Sequence, residues 1–119
     1  FDAKQARRIG TGRTTIDRRI DLHGMRQSEA HGALRRFLFA CHADGHRLVL
    51  VITGKGGPLR RDQDAGSHWS EREERGVLKR SVPQWLSEPE LRAIVVSYTT
   101  ASVRHGGEGA LYVLVRRKL

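Results

Sequence analysis

Three segments of this chain have residue types and spacings that can do chemistry: Asp21-Leu22-His23-Gly24, Thr53-Gly54-Lys55-Gly56-Gly57 and His105-Gly106-Gly107-Glu108-Gly109. Asp21 and His23 stand two apart at the end of an apolar, strand-like run, so they share a strand face. A carboxylate placed there can orient the imidazole, which can exchange a proton with a reacting oxygen. His105 supplies a second imidazole. Two histidines flanking a phosphate, one as base and one as acid, suffice to cleave RNA through its 2′-hydroxyl without a metal. Asp21, His23 and His105 are therefore the candidate catalytic residues. Gly54, Lys55 and Gly56 combine unhindered backbone amides with one cation, the composition of a phosphate-binding nest. Gly106 and Gly107 offer the same unhindered backbone, and Arg60 and Arg61 are candidates for backbone-phosphate contacts.

Other chemistries lack their residues. The spacing Gly-Xaa4-Gly-Lys-[Ser/Thr] of a nucleotide-hydrolysing P-loop is missing. There is no Cys pair and no His-Glu-Xaa2-His, and His42 and His46 straddle Gly45 rather than sharing a helix face. No metal ligands are assigned on this basis. RNA cleavage by histidines needs no cofactor; DNA nicking would call on Mg²⁺ or Mn²⁺, for which Asp21 alone is a poor site.

The elements that must position these residues can be read from periodicity. Arg19 to His23 reads as a first strand, with Ile20 and Leu22 on one face and Asp21 and His23 on the other. A helix is expected from Gln27 to Asp44, because Ala30, Ala33, Leu34, Phe37, Leu38 and Cys41 make one apolar stripe. Gly45 sits where a left-handed cap belongs. Leu48 to Thr53 reads as a strand buried on both faces. Residues 54–76 carry almost no apolar pattern, although Ser70 to Arg75 could already be helical. Val77, Leu78, Val82, Trp85 and Leu86 mark a second helix, in which Pro83 is expected to produce a kink or a fresh turn. Ala93 to Tyr98 is the third strand and Leu111 to Val115 the fourth, joined by a polar loop. Trp85 belongs to the core, while Trp69 could stack on a base or dock on its own domain.

The order β-α-β-α-β-β predicts an α/β fold: a two-layer sandwich, with a four-stranded mixed sheet and both helices packed on one face. The first three strands then run the same way, and their three glycine-rich corners leave from one edge. Ligands of open sheets bind at such carboxyl ends. Residues 1–15 form a basic N-terminal arm and residues 16–119 the α/β domain.

The chain has 119 residues, with 22 Lys and Arg against 13 Asp and Glu, a formal net charge of +9. A surplus that large favours a polyanionic partner, and nucleic acid, DNA or RNA, is the commonest. Cys41 is the single cysteine, so no internal disulfide can form and a cytoplasmic protein is expected. No apolar run reaches membrane-spanning length, so no membrane partner is expected.

The three corners resemble those of the Smr (small MutS-related) domain. That family typically shows Leu-Asp-Leu-His-Gly at the first strand, Gly-Xaa-Gly after the second and Gly-Gly-Xaa-Gly-Ala before the last. Here they stand as Ile20-Asp21-Leu22-His23-Gly24, Gly54-Lys55-Gly56 and Gly106-Gly107-Glu108-Gly109-Ala110. The resemblance implies a nucleic-acid-binding domain with endonuclease activity, DNA-nicking or RNA-cleaving, and a possible association with the ribosome. Its alternative is a non-catalytic module that binds DNA, RNA or a ribosome. One position departs: many members carry His before the second-corner glycine, whereas this chain has Thr53. A hydroxyl there can donate to a phosphate but cannot buffer a proton at neutral pH.

Overall fold

The computed structural model describes residues 1–54 and 76–118 in full and the backbone of 69–75. The first element is α1 (Ala3–Gly10), followed by β1 (Arg18–Asp21), α2 (Gln27–Ala43) and β2 (Leu48–Ile52). After residues 55–68 come α3 (Trp69–Leu86), the one-turn α4 (Pro89–Arg92), β3 (Val95–Thr100) and β4 (Ala110–Val115).

The four strands make one sheet in the order β1-β2-β4-β3. β1 and β2 are parallel, with Ile20 opposite Val51. β4 runs antiparallel to both of its neighbours, β2 and β3. The first three strands therefore point the same way, as expected. β4 does not extend the sheet at its edge but fills a slot between β2 and β3. The crossover through α3 and α4 carries the chain two positions beyond β2, and the short return from β3 drops β4 into the gap.

α2, α3 and α4 cover one face of the sheet. Leu34, Leu38 and Cys41 of α2 and Leu78, Val82 and Trp85 of α3 close over Val49, Val51, Val113 and Val115. Each fully buried aliphatic side chain of this kind stabilises the fold by roughly 1.5–3 kcal/mol. β2 lies between two partners and is buried on both faces, which is why its sequence, Leu-Val-Leu-Val-Ile, does not alternate. Burial pushes the Cys41 thiol up from its ordinary value, so it stays protonated and packs as a small hydrophobe. Among the described residues no helix is long and apolar enough to cross a membrane.

Several local expectations shift. α3 starts at Trp69 and runs on through Pro83 to Leu86. Pro89, whose fixed φ suits the first turn of a helix, opens α4. α4 takes up the residues just before β3, which begins at Val95 rather than Ala93. The polar loop after it is folded into two 3₁₀ turns, Val103–His105 and Gly107–Gly109.

The basic N-terminal segment settles on the other face of the sheet. Asp2 caps α1, its carboxylate accepting the Gln5 N–H at 2.8 Å. Ile9 is buried, and with Ala6 it packs on Leu48, Leu50 and Tyr112. The closest approach is at Gly10, where an added Cβ would lie 2.7 Å from Ser102 Oγ and 2.8 Å from its Cβ. Gly10→Ala gains roughly 1 kcal/mol of helix propensity but forces helix and loop apart, an overpacking cost of about 1–3 kcal/mol. We expect a lower urea midpoint for this variant; a midpoint at or above wild type would show that α1 does not dock this closely.

Candidate active site

Leu22 anchors the first corner. Its side chain is fully buried, and its N–H donates to Ile52 O at 2.7 Å. Gly24 then turns the chain with φ +82°, a region open to glycine at little cost. Between them, Asp21 Oδ1 accepts the His23 backbone N–H at 3.0 Å and lies 2.5 Å from His23 Nδ1. With Nδ1 held by the carboxylate, Nε2 is the ring nitrogen available to a ligand. The His23 side chain is 67% exposed and that of Asp21 49%. An oriented, accessible imidazole is what proton exchange with a bound substrate requires.

The second and third corners lock onto the first. Thr53 and Gly54 donate both of their N–H groups to Gly109 O, at 2.8 and 3.0 Å. Gly54 has φ +84°, and a Cβ built there would stand 3.3 Å from His23 Cβ. The three glycine-rich segments thus meet at one edge of the sheet, as the parallel reading of the first three strands requires.

The corners are not, however, open cradles of amides. In the third, the N–H groups of His105, Gly106, Gly107 and Gly109 all donate to carbonyls within the turn, at 2.9, 3.2, 2.8 and 3.0 Å. Gly106 and Gly107 adopt φ +118° and +55° to close those bonds. Expected as phosphate ligands, these glycines instead shape a tight turn whose amides are engaged. Thr53 is engaged in the same way. It is 4% exposed, and its hydroxyl donates to Gly54 O at 3.0 Å and points toward Gly109 O at 3.3 Å. It braces the second corner against the third. Lys55, Gly56, Arg60 and Arg61 lie outside the described residues.

His105 is held by a residue that the motifs did not flag. Its Nδ1 lies 2.6 Å from Tyr112 Oη, with the rings edge to face at 5.6 Å. Tyr112 is fully buried on β4. Its hydroxyl also accepts the Ser102 N–H at 3.2 Å and meets Ser102 Oγ at 3.1 Å. Tyr112 pairs with Leu50, and Leu50 pairs with Arg19. Arg19, Asp21, Leu50 and Tyr112 thus lie on one face of the sheet, the face that carries α1. A tyrosine interrupting an aliphatic strand, and an arginine two before Asp21, were the available signals.

Partial burial, then the charges of Arg19 and Arg104, lower the His105 pKa from its ordinary value. The ring is therefore neutral at pH 7 and able to accept a proton. The unfolded chain binds this proton more readily, so the contribution to stability falls as pH drops from about 6.5 toward the folded value. An NMR titration of the His105 ring should show a midpoint below 6.5 that rises in Arg19→Ala. An unchanged midpoint in that variant would separate Arg19 from the ring.

Among the described residues no group of three or more His, Cys, Asp and Glu side chains could hold a metal ion. At the corner, Asp21 and His23 are two ligands already bonded to each other.

The Smr domain family matches residues 20–116. The ribosome rescue factor SmrB of Shewanella sp. (strain W3-18-1) is 30% identical over 96% of this chain and 53% of its own length. The chain spans about half the length of the curated relatives it matches. Among solved structures, Escherichia coli YdaL, a stand-alone small MutS-related protein, is similar with TM-score 0.57 and 32% identity. That match covers 83% of this chain and 64% of YdaL. The Smr domain of Thermus thermophilus MutS2 shares the fold, with TM-score 0.61 and 22% identity over 83% of this chain and 98% of that domain. The match to the family runs from β1 to the end of β4 and takes in all three corners: this chain belongs to the Smr domain family.

Proposed function

We propose that this domain binds nucleic acid at the strand ends and cleaves its phosphodiester backbone, with RNA as the substrate. The observation that carries the reading is the Asp21–His23 contact of 2.5 Å, which fixes an exposed imidazole at the edge where the corners meet. In the reaction, neutral His105 takes the proton of the 2′-hydroxyl. The 2′-oxygen bonds to phosphorus as the bond to the 5′-oxygen breaks, and His23 returns a proton to that leaving oxygen. Tyr112 positions His105 and Asp21 positions His23. RNA is favoured because relatives similar over 96% of the chain are named ribosome rescue factors. A ribosome engaged in the cytoplasm is the partner that such names suggest. DNA nicking, with Mg²⁺ or Mn²⁺ supplied to Asp21, is the less favoured form of the same proposal.

A second reading has an observation of its own. The amides of the third corner and the Thr53 hydroxyl are engaged within the protein, so the described corners offer few fixed donors to a phosphorane-like transition state. This favours a module that binds without cutting. Labelled single-stranded RNA and supercoiled plasmid, each incubated with and without EDTA, separate the two. The nuclease reading expects RNA cleavage that persists in EDTA; binding with no cleavage of either substrate under any condition leaves the binding module.

A further inference from the structure

We infer that α1 and the third corner form one continuous cationic track for the nucleic-acid backbone, so that a bound strand crosses the α1 face rather than the helical face formed by α2 and α3. The inference deepens the nucleic-acid reading above and rests on it. It starts from how α1 is fastened. Gly10 comes so close to Ser102 that no side chain fits between them. Arg104 Nη1 donates to Gly10 O at 3.3 Å, capping the negative end of the helix. The last turn of α1 therefore sits directly beside the loop that carries His105.

That junction concentrates positive charge. Lys4, Arg7 and Arg8 of α1, Arg13 just after it, Arg19 of β1 and Arg104 are all exposed. Arg19 and Arg104 act on His105 itself, lowering its proton affinity. None of the six makes a salt bridge among the described residues. The carboxylates between α1 and the end of β1 are engaged elsewhere. Asp2 caps α1, Asp17 Oδ2 accepts the N–H groups of Arg47 and Leu48 at 2.9 and 3.0 Å, and Asp21 holds His23. The other ion pairs lie on the helix side, where Glu108, the one carboxylate of the third corner, is taken up by Lys79 of α3. His31 meets Glu88 at 2.8 Å, Arg35 pairs with Glu90, and Lys79 meets Glu108 at 3.3 Å. Cations without counter-charge, leading away from a candidate phosphodiester site, match the phosphates that flank a bound nucleotide. A single strand fits best, since its backbone can follow a short helix across an open sheet face.

The test is the salt dependence of binding to a fluorescein-labelled 20-nucleotide RNA, read by anisotropy. The variants are Arg7→Ala/Arg8→Ala/Arg13→Ala and an equal-charge control on the other face, Arg36→Ala/Arg80→Ala/Arg92→Ala. Three lost phosphate contacts should lower the slope of log K against log salt by about 2, at roughly 0.7 per contact on single strands. The control should keep the wild-type slope, and Arg7→Lys/Arg8→Lys/Arg13→Lys should restore it. Equal losses in both triple variants, or a loss in the control alone, would overturn the track while leaving nucleic-acid binding standing. Wild-type protein with no salt-dependent binding would overturn the nucleic-acid reading itself.

Discussion

RNA cleavage by His23→Ala is expected to be about 10²–10⁴-fold slower than by the wild type, the range typical of a lost general acid or base. Affinity for RNA should change little. His23 is mostly exposed, and its hydrogen bonds, both to Asp21, are local, so its removal leaves the fold intact. Asp21→Asn should fall between the two proteins, because the imidazole survives while its orienting carboxylate is lost. Single-turnover rates measured above saturating protein concentration separate the effects. Wild-type rates in His23→Ala would remove the assignment of this pair; a parallel collapse of affinity would make His23 a binding residue instead.

Trp85→Ala is expected to cost about 3–5 kcal/mol of stability, the usual range for a large buried aromatic. That is a large share of the roughly 5–15 kcal/mol holding a typical domain together. Trp85 is 6% exposed in the helix-side core. Its indole stacks on the His31 ring at 4.6 Å and 12°, and His31 Nε2 in turn meets Glu88 Oε1 at 2.8 Å. Truncation therefore opens a cavity and loosens the stack between α2 and α3. Urea unfolding followed by circular dichroism gives the loss directly. A cost under about 1 kcal/mol would mean that the site collapses around the smaller side chain.

Much of this architecture is carried by local pattern. The stripe from Ala30 to Cys41 marks α2 because a helical period leaves no other way to bury those six residues together. The continuous apolar run of β2 marks a strand with partners on both sides. The Asp21–His23 pair is legible because it depends only on a period of two and one turn. What is not legible depends on contacts distant in sequence. The position of β4 between β2 and β3 follows from where a crossover lands, which no window of residues records. The fate of the corner amides is equally non-local: Gly54 donates to Gly109, 55 residues away. Composition shows glycines that could cradle an anion, but not whether their N–H groups are already engaged. Tyr112 reads as one more core residue until Ser102 and His105 are seen around its hydroxyl. The docking of α1 is hidden for the same reason, since it turns on the missing side chain of Gly10 against Ser102.

In the proposed reaction, imidazoles from two distant stretches of the chain serve one ligand. The direct measurement is an NMR titration of the wild-type histidine ring resonances with a single-stranded oligonucleotide lacking 2′-hydroxyls, which binds without being cut. The His23 and His105 signals should shift together and saturate on one isotherm, with His42 and His46 unmoved. Saturation of binding with only one of the two rings responding, or with neither, would contradict a shared site at the three corners.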